Sequence, residues 1–259
     1  MEGKRGLILG VANERSIAWG IAKALADQGA ELAFTFQGEA FEKRVRPLAE
    51  SVGSTIIMPC DVEDQGSLDA LLSKIDQDWG SLDFVVHSLA YSDKDELTGK
   101  FVETSAENFT RTMNISCFSF TNIAKMAYPL MKENGGSLIT LTYYGSERVM
   151  PNYNVMGVAK AALEASVRYL AADLGEDNIR INAISAGPMR TLAGSAIGSA
   201  RKIYKRSEAN APLRRTVTLE QLGGTAVYLL SDLSGGVTGE VHHVDAGYNI
   251  IGLPYLTGN

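Results

Sequence analysis

Tyr153 and Lys160 stand seven residues apart in the run Pro151-Asn152-Tyr153-Asn154-Val155-Met156-Gly157-Val158-Ala159-Lys160. At about 100° per residue, seven steps return a helical side chain nearly to its starting direction. On a helix, a phenol and an ammonium would therefore share one face, roughly 10 Å apart along the axis. A Tyr hydroxyl can donate to a developing oxyanion, and a neighbouring Lys can hold a sugar hydroxyl while adding positive charge. The same spacing also describes an ordinary, partly exposed helix face, so the surrounding elements decide what the pair means.

Those elements alternate. Short apolar runs of strand type (Leu7–Val11, Glu31–Phe36, Thr55–Cys60, Leu82–His87, Ser137–Thr142, Arg180–Ala186, Glu240–Asp245) are separated by amphipathic helical segments. The helices are expected at Ser16–Gln28, with Ser16 as N-cap, and at Glu39–Ser51, Gln65–Trp79, Ala106–Met131, Tyr153–Leu174 and Leu219–Ser231. Near-continuous apolar strands between helices are what a parallel sheet covered on both faces requires. The expectation is a Rossmann-like α/β fold: one doubly wound, seven-stranded parallel sheet with helices on both faces. No linker, repeat or low-complexity tract divides the chain, so residues 1–259 read as a single domain. Residues 190–212 break the rhythm with glycines, serines and a basic cluster (Arg201, Lys202, Lys205, Arg206), and read as an irregular lid over a site.

Composition narrows the function. A 45% hydrophobic chain of 259 residues builds a substantial core, and a net charge of −6 disfavours nucleic acid or an anionic membrane as main partner. The apolar run after Met1-Glu2-Gly3-Lys4-Arg5 is only about six residues, too short for a signal peptide, and no stretch approaches the roughly 20 apolar residues of a membrane span. Cys60 and Cys117, each in an apolar context, read as buried free thiols. A cytoplasmic protein is expected. His87, His242 and His243 match no metal-ligand spacing, and the last two, adjacent in a strand, point to opposite faces, so no metal site is expected.

The first strand–turn–helix, Gly10-Val11-Ala12-Asn13-Glu14-Arg15-Ser16-Ile17-Ala18-Trp19-Gly20, could present backbone N–H groups to a diphosphate. It lacks the G-x-G-x-x-G fingerprint, so an ordinary βα turn accounts for it equally well at this point. The second strand ends at Gln37 with no adjacent cation to pair a 2′-phosphate, which favours NADH over NADPH. Asp61, closing the third strand, could accept from an adenine amino group, or could simply start the next turn.

With these parts in place, the chain resembles the short-chain dehydrogenase/reductase superfamily from end to end. His87-Ser88-Leu89-Ala90 stands where that superfamily ends its fourth strand, Asn114 matches a helix asparagine, and Val244-Asp245-Ala246-Gly247 matches the last strand and turn. Commoner members carry Tyr-x3-Lys, but here Met156 occupies that tyrosine position and Tyr153 lies one turn back. Tyr-x6-Lys, with Tyr143 ten residues earlier, is similar to the bacterial enoyl-[acyl-carrier-protein] reductase family. So are Gly10-x5-Ser16-Ile17-Ala18-x-Gly20, the run 148–157 and the run Asn182-Ala183-Ile184-Ser185-Ala186-Gly187-Pro188-Met189-Arg190-Thr191-Leu192-Ala193.

The resemblance implies that Tyr153 donates to a thioester carbonyl, that Lys160 holds nicotinamide ribose hydroxyls, and that Tyr143 lines the acyl site. It implies NADH contacts from Gly10, Ser16, Ile17, Gln37, Asp61, Val62, Leu89, Lys160, Met189, Arg190, Thr191, Leu192 and Ala193. Substrate contacts would come from Ser92, Tyr143, Tyr153 and Met156. It further implies an enoyl thioester on acyl carrier protein as substrate, a place in fatty acid synthesis and a homotetramer. Two rivals remain at this stage: a carbonyl reductase of the same superfamily, and a non-catalytic NAD-binding module.

Overall fold

The structure, a computed structural model, describes residues 1–191 and 200–253. Seven strands form one parallel sheet: β1 (Arg5–Leu9), β2 (Glu31–Phe36), β3 (Ile56–Pro59), β4 (Phe84–His87), β5 (Gly136–Thr142), β6 (Ile179–Ala186) and β7 (Val241–Val244). Their order is β3-β2-β1-β4-β5-β6-β7. The chain winds outward from β1 to β3 and then returns to β4 beside β1, which places a topological switch point at the C-terminal ends of β1 and β4. This is the Rossmann-like doubly wound sheet expected from the apolar runs.

Alternation along each strand sorts the core into two layers. Ile8, Phe34, Val86, Ile139 and Ile184 face one side, under α1 (Ile17–Ala26), α2 (Glu39–Ser51) and the helix Leu219–Leu230. Leu7, Leu9, Val85, Leu138 and Ile181 face the other, under α3 (Gln65–Trp79), α5 (Ser119–Met131) and α6 (Asn154–Leu174). Leu7, Ile8 and Leu9 are all fully buried, each contributing on the order of 1.5–3 kcal/mol by leaving water. That explains why β1 reads as an unbroken apolar run: both of its faces are covered. No helix among the described residues is long and apolar enough to cross a membrane.

Three sequence expectations are corrected. The single helix predicted over Ala106–Met131 is broken into α4 (Ala106–Met113), a π turn at Asn114–Phe118, and α5. The wide turn carries Ser116 inward, where its hydroxyl accepts from Tyr91 N at 2.9 Å and donates to Tyr91 O at 3.0 Å. Ser119 back-bonds to Ile115 O at 2.6 Å, giving that carbonyl a partner beside the break. The stretch predicted as irregular contains a regular helix, Ala200–Asn210, with Ser207 and Asn210 on its buried side. Ser16 occupies the N-cap position of α1, but its hydroxyl does not cap the helix. It turns back to accept from Ala12 N at 2.9 Å and Asn13 N at 3.0 Å, serving the turn instead.

Candidate active site

The C-terminal ends of β1, β5 and β6 open onto a cavity of about 690 Å³, within the range of small-ligand sites. The turn after β1 supplies Asn13, Arg15 and Ile17, and the end of β5 supplies Thr142 and Tyr143. The loop before α6 supplies Met150 and Tyr153, and the segment after β6 supplies Ala186 to Thr191. The helix Ala200–Asn210 closes the far wall with Arg201, Ile203, Tyr204 and Lys205.

Tyr153 reaches the cavity differently from what helical spacing predicts. It is the residue preceding α6, with φ −116° and ψ −25°, so it stands at the mouth of the helix rather than on its face. Its neighbours Asn152 and Asn154 both take positive φ, 60° and 33°, a region that Asn tolerates better than most residues. Asn154 is anchored by its side-chain amide to the Glu96 carbonyl at 3.1 Å. The Tyr153 ring packs edge-on against Tyr143, centroids 5.2 Å apart at 78°, a favoured aromatic geometry. Gly145 makes room for it, since a Cβ there would press into the Tyr153 ring. Burial raises the Tyr153 phenol well above its ordinary range, with Tyr143 and Glu164 adding to the effect. Tyr143 is raised too, chiefly by burial. Both phenols are neutral donors at physiological pH.

Lys160 lies two turns into α6 and is only 6% exposed. Its ammonium donates to Leu141 O at 2.7 Å, at the end of β5. One of its three donors is so engaged. Burial lowers its pKa to about 8, a cost that Cys117 and Glu164 partly offset. Beneath it, His87 at the end of β4 is fully buried between Thr140 Oγ1 (3.0 Å) and Ser119 Oγ (2.8 Å). Ser119 spends its own proton on Ile115 O, so Nε2 of His87 donates to Ser119 and Nδ1 accepts from Thr140. Burial and the nearby Lys160 push this imidazole down to about 3. His87 is thus a neutral scaffold residue, and its Ser partner is committed to a backbone carbonyl.

Of the remaining candidates, Ile17, Met189, Arg190 and Thr191 line the cavity alongside the two tyrosines. Gly10 takes φ +98° where β1 passes the end of β4, and a Cβ there would collide with the Ser88 carbonyl; only glycine fits both demands. Gln37 and Asp61 meet beyond β2 and β3, the amide donating to the carboxylate at 2.9 Å. Val62 and Leu89 pack against the core layer under α3, α5 and α6. Met156 packs with Leu97 and Tyr153. Ser92 accepts from Thr112 at 3.0 Å and sits in a polar cluster with Asn108, not on the cavity wall. Leu192 and Ala193 lie outside the described residues. The wall residues Ile203 and Tyr204 were not singled out from the sequence. Their helix carried little apolar periodicity, since its buried positions Ser207 and Asn210 are polar. Arg190 lies over the Tyr204 ring at 4.7 Å, joining the β6 segment to that wall.

The residues fit a dinucleotide. The first amides of α1 are left uncapped by Ser16, whose hydroxyl accepts twice and keeps its own proton to donate. The Gln37–Asp61 couple offers hydrogen-bonding groups suited to ribose hydroxyls.

The strand order and the cavity at the strand ends place the chain among Rossmann-type α/β proteins of the dinucleotide-binding class. A family model described as "Enoyl-(Acyl carrier protein) reductase" matches residues 10–249. The chain belongs to this family. It is 66% identical over 256 residues to an enoyl-[acyl-carrier-protein] reductase [NADH] 2 of Rhizobium meliloti (strain 1021), covering 99% of this chain and 95% of that one. Among solved structures, FabI from Candidatus Liberibacter asiaticus matches with a TM-score of 0.95 at 59% identity, over 98% of each chain. An enoyl-(acyl-carrier-protein) reductase from Anaplasma phagocytophilum in complex with NAD matches with a TM-score of 0.95 at 58% identity, over 99% of this chain and 97% of the other. The resemblance drawn from the motifs is borne out at the level of family and fold.

Proposed function

We infer that this protein is an NADH-dependent enoyl-[acyl-carrier-protein] reductase, which reduces the trans-2 double bond of enoyl thioesters during fatty acid elongation. The observation that carries the reading is the Tyr143–Tyr153 pair at the cavity with a buried ammonium one helical segment behind it. NADH, when bound, supplies hydride to C3 of the enoyl group. Negative charge then gathers on the thioester oxygen, three bonds from the hydride acceptor. Tyr153, held neutral by burial, donates its hydroxyl to that oxygen and binds the enolate more tightly than the substrate. Tyr143 fixes the Tyr153 ring and lines the acyl site with Met156 and Ser92 nearby. Lys160 holds ribose hydroxyls with the donors that Leu141 leaves free, and its positive charge favours the anion.

Gly10, Ser16 and Ile17 cradle the diphosphate. Gln37, Asp61 and Val62 serve the adenosine end, and Leu89 with Met189 through Ala193 completes the NADH site. Residues 1–259 act as one NAD-binding catalytic domain with a substrate loop over about 190–212. The decisive experiment is NADH oxidation with crotonyl-CoA against acetoacetyl-CoA. Turnover of the enoyl substrate alone is expected, whereas turnover of the ketone would point to a carbonyl reductase and no turnover to a non-catalytic module.

Arg201 and Lys205 line the cavity on the helix Ala200–Asn210 and are exposed. They are well placed to meet an acidic carrier protein at the cavity rim. Replacing both with Glu is expected to raise KM for carrier-bound substrate about tenfold and leave KM for the CoA ester unchanged; equal effects on the two substrates would remove the carrier from the interpretation. The exposed outer face of α6, with Val158, Ala161 and Tyr169, supports packing against further copies in a homotetramer. A cytoplasmic location accords with the acidic chain and its two free, buried cysteines.

A further inference from the structure

Glu164 is a second charged side chain buried in α6, 8% exposed, and no step described above uses it. It stands four residues after Lys160, on the same helical face and one turn deeper. This part of α6 is covered: Leu163 and Val167 are fully buried. A carboxylate in such a place is costly unless something holds it. Thr142 does so, donating its hydroxyl to Glu164 Oε1 at 2.6 Å, a short, charge-assisted geometry. Thr142 directly follows Leu141, whose carbonyl accepts from the Lys160 ammonium at 2.7 Å. Two consecutive residues at the end of β5 are thereby stapled to two consecutive turns of α6, just before the chain turns into Tyr143.

We propose that Glu164 is the positioning residue for Lys160. Its buried carboxylate, held by Thr142, supplies the counter-charge that keeps the ammonium protonated inside the fold and fixes the strand end leading to Tyr143. The proposal rests on the role given to Lys160 in the enoyl reductase reading. Of the other groups facing Lys160, Cys117 acts in the same direction and the rest do not. From β4, His87 is neutral. From the π turn, Cys117 also favours the ammonium, although burial raises its own thiol. At the cavity, Tyr143 and Tyr153 are neutral phenols. Glu164 is the acidic side chain one turn away on the same helix face, held by Thr142, and its effect on Lys160 is in the direction required.

The test is the pH dependence of kcat/KM for NADH in crotonyl-CoA reduction between pH 6 and 10, comparing the unaltered enzyme with Glu164→Gln. The amide keeps an acceptor for Thr142 and removes only the charge. The alkaline limb should move down by about one pH unit, the size expected when an opposite charge nearby is lost. At pH 8, kcat/KM then falls about fivefold, while at pH 6 it stays within about twofold, for a one-unit shift of a group titrating near 8. Glu164→Asp, which retains the charge, should restore the limb toward its original position. If the amide variant does not fold, the double variant Thr142→Val/Glu164→Met, with both partners apolar, carries the same expected shift. A limb that superimposes on the unaltered profile, or moves upward, overturns the proposal while leaving the enoyl reductase reading intact. Absence of enoyl reduction by the unaltered chain overturns that reading and this proposal with it.

Discussion

Tyr153→Phe is expected to lower kcat for crotonyl-CoA by about 10²–10³, the usual consequence of removing one hydrogen-bond donor to a developing oxyanion. The affinity for NADH, read by fluorescence titration, should stay close to that of the unaltered protein. The structure separates these two readouts. The ring is what packs: it stands edge-on to Tyr143 at 5.2 Å and fills the space that Gly145 leaves open, and Phe preserves both contacts. Only the hydroxyl is lost. Because burial holds the phenol far above its ordinary range, the group removed is a neutral donor across the working pH. The defect should therefore be nearly constant from pH 6 to 8. A variant that keeps more than half its kcat would show that Tyr153 does not face the oxyanion, and a loss of NADH binding equal to the loss of kcat would show that its role is structural.

Lys160→Met is expected to have an effect of similar size but of different kind. Met retains much of the stem volume at this buried position, so the space around it stays largely filled. The positive charge and the bond to Leu141 O disappear. Leaving that carbonyl without its partner costs about 1–3 kcal/mol of stability, to be read as a lower melting temperature. KM for NADH should rise and kcat should fall together, with kcat/KM down by about 10² or more, because one side chain both holds the ribose and favours the enolate. The unaltered enzyme carries a matching signature. Lys160 must be cationic and burial sets its pKa at about 8, so kcat/KM for NADH is full below that pH and is lost as pH rises through it. Tyr153 titrates too high to account for such a limb. A kcat/KM profile flat from pH 7 to 9.5 would remove Lys160 from the chemistry.

How much of this site could be read in advance differs from residue to residue. The strands were legible because a parallel strand covered on both faces is apolar at nearly every position, as Leu7, Ile8 and Leu9 are. The switch point followed from strand–helix alternation. Gly10 was legible as a turn, but the reason it must be glycine lies in the Ser88 carbonyl, dozens of residues away in sequence. Ser16 looked like a helix cap by its position. Its hydroxyl instead serves the backbone of Ala12 and Asn13, a choice made by the shape of the turn. The helix Ala106–Met131 looked continuous because a π turn leaves the apolar spacing on either side almost unchanged; Ser116 needs it only because Tyr91 lies opposite.

By itself, the sequence determined the α/β class, the seven-stranded sheet, the Tyr–Lys spacing and, through four separated motifs, the family. All of these are properties of local pattern: backbone periodicity, burial on one or both faces, and residue types at fixed intervals. The tertiary structure alone decided where Tyr153 stands and what Lys160 touches. It also decided which helix walls the cavity and that Glu164 is held by Thr142. Tyr153 precedes α6 and is turned by two left-handed asparagines against Tyr143, an arrangement that seven helical steps do not describe. Such features depend on groups brought together from distant parts of the chain, and packing and hydrogen-bond satisfaction, not local pattern, choose those partners.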